Sequence, residues 1–253
     1  MRRASKEPVL AAEGLVMTYP KAAAPAVGGI DVTVGEAEIF GLLGPNGAGK
    51  TTAISIMSTL LRPDGGQITI CGVDALRHPR RARKLIGVIP QDIALYGSLT
   101  ARENLRYFGR LYGMRGQTLE RRIDECLEMV ALQDNGDRQV RTFSGGMKRR
   151  INLAVGVLHE PKLLFLDEPT VGIDAQSRSL ILDNLQSLRA AGMSMVYTTH
   201  YMEEAQQYCT SLAVIDGGRI IASGKAEELI ERTADCFNLE DVFLHLTGRH
   251  LRD

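Results

Sequence analysis

Residues 44–51 read G-P-N-G-A-G-K-T, directly after the apolar run EIFGLLG and directly before a helical pattern. No other feature restricts the fold so strongly. Gly44, Gly49, Lys50 and Thr51 fit the spacing G-x-x-x-x-G-K-[ST], which requires a strand before it and a helix after it. In that setting the loop of Gly44, Pro45, Asn46, Gly47, Ala48 and Gly49 turns the backbone N–H groups of its non-proline residues around an anion. The helix that follows adds the positive end of its dipole. Lys50 can then reach the β- and γ-phosphates of a nucleoside triphosphate, with the Thr51 hydroxyl available to Mg²⁺ and Thr52 beside it.

A second stretch completes such a site. KLLFLDEP (162–169) carries an apolar strand run to Asp167 and Glu168. A carboxylate at the end of a buried strand is costly unless it is used. Asp167 suits a Mg²⁺ ligand, direct or through water, and Glu168 is placed to polarise a water against the γ-phosphate. A third stretch, FSGGMKRR (143–150), raises a question. Ser144, Gly145 and Gly146 stand before another helical run, INLAVGVL, as a second anion-binding helix start far from the first.

The order of elements follows from periodicity. VLAAEGLVMTY, GIDVTV and EIFGLLG read as strands. From Thr51, the residues Ala53, Ile56, Met57, Leu60 and Leu61 fall on one helical face until RPDGG stops it. QITICG and IGVIPQ read as strands. SLTARENLRYFGRLYGM, LERRIDECLEMVAL and MKRRINLAVGVL read as helices, the first opened by a capping box of Thr100 and Glu103. KLLFLD and MSMVYTTH are buried strands flanking a helix over roughly 175–190. SLAVIDGGRIIASG is a hairpin turning at Asp216-Gly217-Gly218. The tail LEDVFLHLTG places Leu239, Val242, Phe243 and Leu246 on one face, with Gly248 as a stop. KAAAPA (21–26) is a loop. Alternating strands and helices imply a mainly parallel sheet wrapped by helices, with ligands beyond the carboxyl ends of its strands.

Composition excludes some functions. The 30 Lys+Arg balance the 30 Asp+Glu, so no bulk charge points to nucleic acid or a membrane surface. The basic run HPRRARK (78–84) is a solvated face. Cys71, Cys126, Cys209 and Cys236 lack the spacing of a zinc site or disulfide framework and are expected to be reduced and mostly buried. MRRASKEP has no apolar segment behind its arginines, so no signal peptide is expected. No run reaches the roughly 18–20 apolar residues of a membrane span. If the protein works at a membrane, another chain crosses it.

The order GPNGAGKT, IPQD, FSGGM, LLFLDEPTVGID, TTH resembles that of the ATP-binding cassette (ABC) ATPases, the nucleotide-binding subunits of ABC transporters. The similarity spans nearly the whole chain. The resemblance implies an α/β fold: a P-loop NTPase, RecA-like core with an antiparallel β subdomain and an inserted α-helical subdomain. The implied domains are residues 1–91 with 159–225 for the core and β subdomain, 92–158 for the helical part, and 226–253 for a helical tail. It implies ATP and Mg²⁺ as cofactors and ATP hydrolysis as the reaction. It also explains the second loop. In this family two subunits pack head to tail, and each serine-glycine-glycine signature closes over the ATP of its partner. Ser144, Gly145, Gly146 and Asp174 would therefore face a second subunit. Tyr19 resembles the aromatic that stacks on adenine, and Gln91 the glutamine that touches Mg²⁺ and the attacking water. His200 resembles the switch histidine that contacts the γ-phosphate and orients Glu168. His78, His159, His245 and His250 match no motif and are expected at the surface.

The sequence departs from the family pattern at Phe143, at Met147 in place of glutamine, at Val171-Gly172-Ile173, and at Ala37 where glycine is common. SLTARENLRYFGRLYGM, FSGGMKRR and LEDVFLHLTGR resemble bacterial ATPases serving exporters of drugs, lipid-linked or polyketide compounds, or sodium. The implied partners are separate integral-membrane permease subunits and a second ATP-binding subunit, identical or different, and not nucleic acid. The implied location is the cytoplasmic face of the cell membrane. The tail is too short for the regulatory domain of many sugar-import ATPases. The competing reading is a soluble ABC ATPase that acts in cofactor or protein-complex assembly. A third is an ATP-binding module without turnover, which the presence of Glu168 and His200 disfavours.

Overall fold

The computed structural model describes residues 7–248. The arginines of MRRASKEP and His250 lie outside the described residues. Two sheets and three apolar clusters organise the rest. Strand β1 (Leu10–Met17) pairs antiparallel with β2 (Val27–Val34), and β3 (Ile39–Leu43) leads into the phosphate loop. Helix α1 (Lys50–Met57) follows, then β4 (Gly65–Ile70), the two-residue β5 (Val73–Asp74), the short α2 (Pro79–Ala82) and β6 (Ile86–Ile89). Helices α3 (Ala101–Leu111), α4 (Gly116–Met129) and α5 (Gly145–Val157) come next. The chain then returns through β7 (Leu163–Asp167), α6 (Ala175–Ala190), β8 (Ser194–Thr198) and α7 (Met202–Tyr208). It ends in the hairpin β9 (Ser211–Asp216) and β10 (Arg219–Gly224), with α8 (Ala226–Arg232) and α9 (Leu239–Thr247).

The first sheet is antiparallel, in the order β2-β1-β4-β5; the second runs β10-β9-β3-β8-β7-β6. In the second sheet β9, β3, β8, β7 and β6 are parallel and only β10 runs against them. Its central strands β3, β7 and β8 are buried throughout because both faces are covered. Leu163 and Phe165 of β7 point into one cluster with α1 and the antiparallel sheet. Leu164 and Leu166, the alternate residues, point into the cluster of α3, α4, α5 and α6. Helix α1 is thus clamped between the sheets, which fixes the loop at its start. The tail covers the end of the sheet through Leu43, Leu212, Val214, Leu239, Val242 and Phe243.

Several local readings change. Helix α1 stops at Met57, before RPDGG, because Thr59 takes a left-handed conformation (φ 63°). Leu60 is consequently 62% exposed and leaves the helical face it was assigned to. HPRRARK is only partly a free surface: Ala82 is buried, and Arg83 donates to Thr59 Oγ1 (3.0 Å) and to the Thr59 carbonyl (2.9 Å). His159 is not a surface residue. Its ring stacks on Tyr112 at 3.6 Å and its Nε2 lies 2.8 Å from the Ile86 carbonyl, tying the end of α5 to β6. His78 and His245 are exposed. The four cysteines are free; Cys126 is buried, Cys209 and Cys236 are half-buried, and Cys71 is exposed. Among the described residues no helix is long and apolar enough to cross a membrane.

Candidate active site

The phosphate loop leaves β3 at Gly44 and enters α1 at Lys50. Its curvature depends on Gly49, which sits at φ 106° as the residue before the helix. A Cβ there would lie 2.3 Å from the Ala26 carbonyl oxygen, so no other residue fits. The hairpin turn of β9 and β10 braces the loop from outside, since Gly218 N–H donates to the Ala48 carbonyl (3.0 Å). Lys50 is buried, and its Nζ donates to the carbonyls of Gly44 (2.7 Å) and Pro45 (3.1 Å). Burial lowers its pKa from the ordinary lysine value, against the pull of Glu168 and Asp167, which raise it. Asn46, Gly47 and Thr51 are exposed around the loop, and Thr52 is half-exposed. Tyr19, 41% exposed, reaches Thr52 with its hydroxyl 3.3 Å from Oγ1.

Asp167 and Glu168 leave the end of β7 into the same space, and both are buried. Thr198, opposite Asp167 on β8, organises them. Its hydroxyl donates to Asp167 Oδ1 (2.7 Å) and accepts from the Glu168 N–H (3.0 Å). Glu168 holds a left-handed backbone at φ 50°, an unfavourable conformation for a residue with a side chain. Its Oε2 accepts from Gln91 Nε2 (3.2 Å) and lies 3.5 Å from Nδ1 of His200. Arg149, the seventh residue of FSGGMKRR, donates to the Pro90 carbonyl (3.4 Å), beside Gln91. Burial lowers its pKa, opposed by the charges of Asp92, Glu168 and Asp167.

The structure brings Gln91 and His200 to one oxygen of Glu168 and joins Asp167 to Glu168 through Thr198, while Lys50 stays bonded to the loop carbonyls, close enough for both carboxylates to act on its charge. It groups Ser144, Gly146 and Asp174 elsewhere. Ser144 caps α5, its hydroxyl accepting from the Met147 N–H at 3.2 Å. Asp174 caps α6, accepting from the Ser177 N–H at 2.8 Å, and that hydrogen bond lowers its pKa. Gly146 is the contact between them: a Cβ there would fall 2.2 Å from Ser177 Oγ and 2.6 Å from Asp174 Oδ2. Its small size therefore serves packing of α5 on α6. Gly145 is exposed and open, with only the Gly172 carbonyl near, at 3.9 Å from such a Cβ.

Sequence reasoning missed Thr198 and Arg149. Thr198 stands in TTH and could have been read as a hydroxyl facing Asp167, and Arg149 stands in FSGGMKRR, where nothing in the sequence says which loop it reaches.

The sequence matches the family described as ABC transporter over residues 27–171. It is 45% identical over 224 residues to the linearmycin resistance ATP-binding protein LnrL of Bacillus subtilis (strain 168), covering 88% of this chain and 71% of that protein. It is 43% identical over 229 residues to the Nod factor export ATP-binding protein I of Ralstonia nicotianae, covering 90% and 71%. A solved ATP-binding subunit of an ABC transporter superposes with a TM-score of 0.86 at 29% identity, over 94% of this chain and 99% of that one. With the phosphate loop, the paired carboxylates and this likeness in hand, the chain belongs to the ABC transporter family, as an ATP-binding ATPase whose relatives are of the export type.

Proposed function

We propose that two ATP-binding subunits, this chain and a second one, close head to tail around ATP and drive export through separate integral-membrane permease subunits on the cytoplasmic face of the membrane. One observation carries the reading. Two groups of residues lie on different loops, Lys50, Gln91, Asp167, Glu168 and His200 in one, and Ser144, Gly145 and Asp174 in the other, and we read each as half of a phosphate site. Neither is a full phosphate cage. A head-to-tail pair completes both, and such a contact is isologous when the two chains are identical. The division we propose follows: 1–91 with 159–225 as core and β subdomain, 92–158 as the helical part, 226–253 as the tail. Exposed Tyr96 and Tyr107, whose rings meet at 4.9 Å at the start of the helical part, with Leu111 one turn further along α3, supply an apolar surface for a permease segment.

In this reading Tyr19 stacks on adenine and residues 44–52 wrap the phosphates. The residues fit Mg²⁺. Thr51, Gln91 and Asp167 would hold the ion through a hydroxyl, an amide oxygen and a carboxylate, the hard oxygen donors that Mg²⁺ takes, and the Gln91 amide nitrogen is turned to Glu168 instead. The ion, when bound, neutralises charge on the β- and γ-phosphates. Lys50 is held by carbonyls rather than carboxylates, so its charge is free to turn to phosphate. Glu168 accepts the proton of the attacking water, with Gln91 and His200 fixing the oxygen that does so.

The test uses Glu168→Gln, expected to slow hydrolysis by roughly 10²- to 10⁴-fold while sparing binding. Its mass in solution is measured with and without MgATP. A shift from monomer to dimer, abolished by Ser144→Arg, is the expected result. A Ser144→Arg protein that dimerises as readily would overturn the head-to-tail reading.

A further inference from the structure

Glu204 is only 6% exposed, and the mechanism above makes no use of it. It lies in the first turn of α7. Its Oε2 accepts hydrogen bonds from the hydroxyls of Tyr197 (2.5 Å), Thr170 (2.9 Å) and Thr199 (3.1 Å). Its Oε1 faces Nε of Arg178, on α6, at 3.6 Å. Both of these atoms are buried and make no hydrogen bond, so each has the other as its compensation. A carboxylate in this setting is costly to bury unless its charge is met. The three hydroxyls take one of its oxygens, and the Arg178 guanidinium is the cation placed at the other.

The partners of Glu204 come from the segments around the reacting groups. Thr170 follows Glu168 by two residues, and Thr199 immediately precedes His200. Tyr201, on the other side of His200, donates its N–H to Thr199 Oγ1 (3.0 Å). The guanidinium of Arg178 lies 4.4 Å from the Tyr201 ring centre. The Tyr201 ring in turn rests 4.3 Å from that of His200. His200 is therefore held from below by a stack of Tyr201 on Arg178, and from the chain side by Thr199. Both lead to the same carboxylate. Helix α6, which carries Arg178, begins at the Asp174 cap.

We propose that Glu204 and Arg178 form a positioning unit for ATP hydrolysis: they fix the imidazole of His200 and make its placement follow α6, and hence the Asp174 loop. This rests on His200 acting at the γ-phosphate. Neither residue touches the reacting atoms; each acts through His200. Misplacing a reacting group by about 1 Å lowers a rate by on the order of 10²-fold. A displaced His200 is thus felt in turnover and not in nucleotide affinity, which the phosphate loop supplies.

The experiment compares the full chain with its Arg178→Leu, Arg178→Lys, Glu204→Gln and His200→Ala variants. It measures kcat, affinity for a fluorescent ATP analogue, and the NMR signal of the His200 imidazole C–H, assigned from its loss in His200→Ala. Arg178→Leu is expected to lower kcat by roughly 10- to 10²-fold with affinity changed by less than about 2-fold, and to move the His200 signal. Arg178→Lys keeps the ion pair and is expected to recover part of the rate. Glu204→Gln acts in the same direction as Arg178→Leu. If Arg178→Leu or Glu204→Gln does not fold, Arg178→Lys decides: it keeps a cation beside Glu204 but loses the planar guanidinium on the Tyr201 ring, so a lowered kcat and a moved His200 signal are expected of it, and native values of both overturn the inference. The inference is overturned if His200→Ala is slow while the folded Arg178→Leu protein turns over at the native rate with the His200 signal unmoved. If His200→Ala itself hydrolyses ATP normally, the reading of His200 fails first, and the positioning role falls with it.

Discussion

Among the eight non-glycine residues with left-handed backbone in the described chain, Glu168 and Ala37 hold it in different settings. Glu168 takes φ 50° at the end of β7, where Thr198 bonds its N–H and its side chain is aimed at Gln91 and His200. That conformation is unfavourable, and its use at a reacting group is a common place for stored strain. Ala37 takes φ 52° at the turn before β3, at the end of that strand away from the phosphate loop. There the strain has no evident return. Left-handed backbone costs an alanine about 1–2 kcal/mol, while glycine loses about 0.4–1 kcal/mol more entropy on folding. Ala37→Gly is therefore expected to raise stability by about 0.5–1 kcal/mol. A thermal melt should show an increase of roughly 2–4 °C, with ATP affinity unchanged. A lower melting temperature would mean that the turn is relaxed as it stands.

At the scale of elements, the junction of α5 and α6 carries the second half-site. Ser144 and Asp174 are both helix caps, so their side chains are fixed by the same hydrogen bonds that start the helices. The two starts are pressed together at Gly146. Gly146→Ala would force a Cβ to within 2.2 Å of Ser177 Oγ, so the helices must separate. The expected effect is a stability loss of about 1–3 kcal/mol, the usual range for overpacking. Urea denaturation measures it. Because Ser144 and Asp174 move apart with the helices, MgATP-driven dimerisation should weaken in the same protein. Gly145→Ala, in open space, should leave stability nearly as it was. Equal losses for both variants would show that the contact at Gly146 is not the deciding one.

At the scale of the whole molecule, the helices α3, α4 and α5 pack on the sheet through one apolar cluster, and His159, just after α5, adds a polar tie to β6 that titrates. His159 is stacked on Tyr112 and bonded to the Ile86 carbonyl, with Arg122 nearby. Burial lowers its pKa below the ordinary 6.5; the Ile86 carbonyl opposes this and Arg122 adds to it. With the folded value depressed, the unfolded chain binds the proton more readily. This part of the stability is then present above about pH 6.5 and is lost as pH falls through the folded pKa. Melting temperatures measured from pH 7.5 down to about 5 should fall less steeply in His159→Gln than in the native chain. Identical slopes would remove His159 from the acid response.

The phosphate loop, the Asp167–Glu168 pair, the strands of the parallel sheet and the capping box of α3 were legible in the sequence. Each rests on a local pattern: a spacing, a run buried on both faces, or a side chain meeting its own backbone three residues on. The short helices α2, α7 and α8 were not, because four to seven residues hold too little periodicity to stand out. The true end of α1 was missed because the backbone turn at Thr59 has no glycine or proline to announce it. His159 was misread because its partners, Tyr112 and Ile86, lie far from it along the chain.

By itself, then, the sequence determined the class of fold, the nucleotide chemistry and the order of the elements, since these follow from residues acting on near neighbours. Tertiary structure alone decided which residues share a site. It set Gln91 and His200 on the same oxygen of Glu168, used Gly146 to lock two helix starts together, and gathered Thr170, Tyr197, Thr199 and Arg178 around Glu204. The physical reason is that a buried charge or a missing Cβ has meaning only against what packs on it. Those partners come from strands and helices that meet only once the sheet has formed.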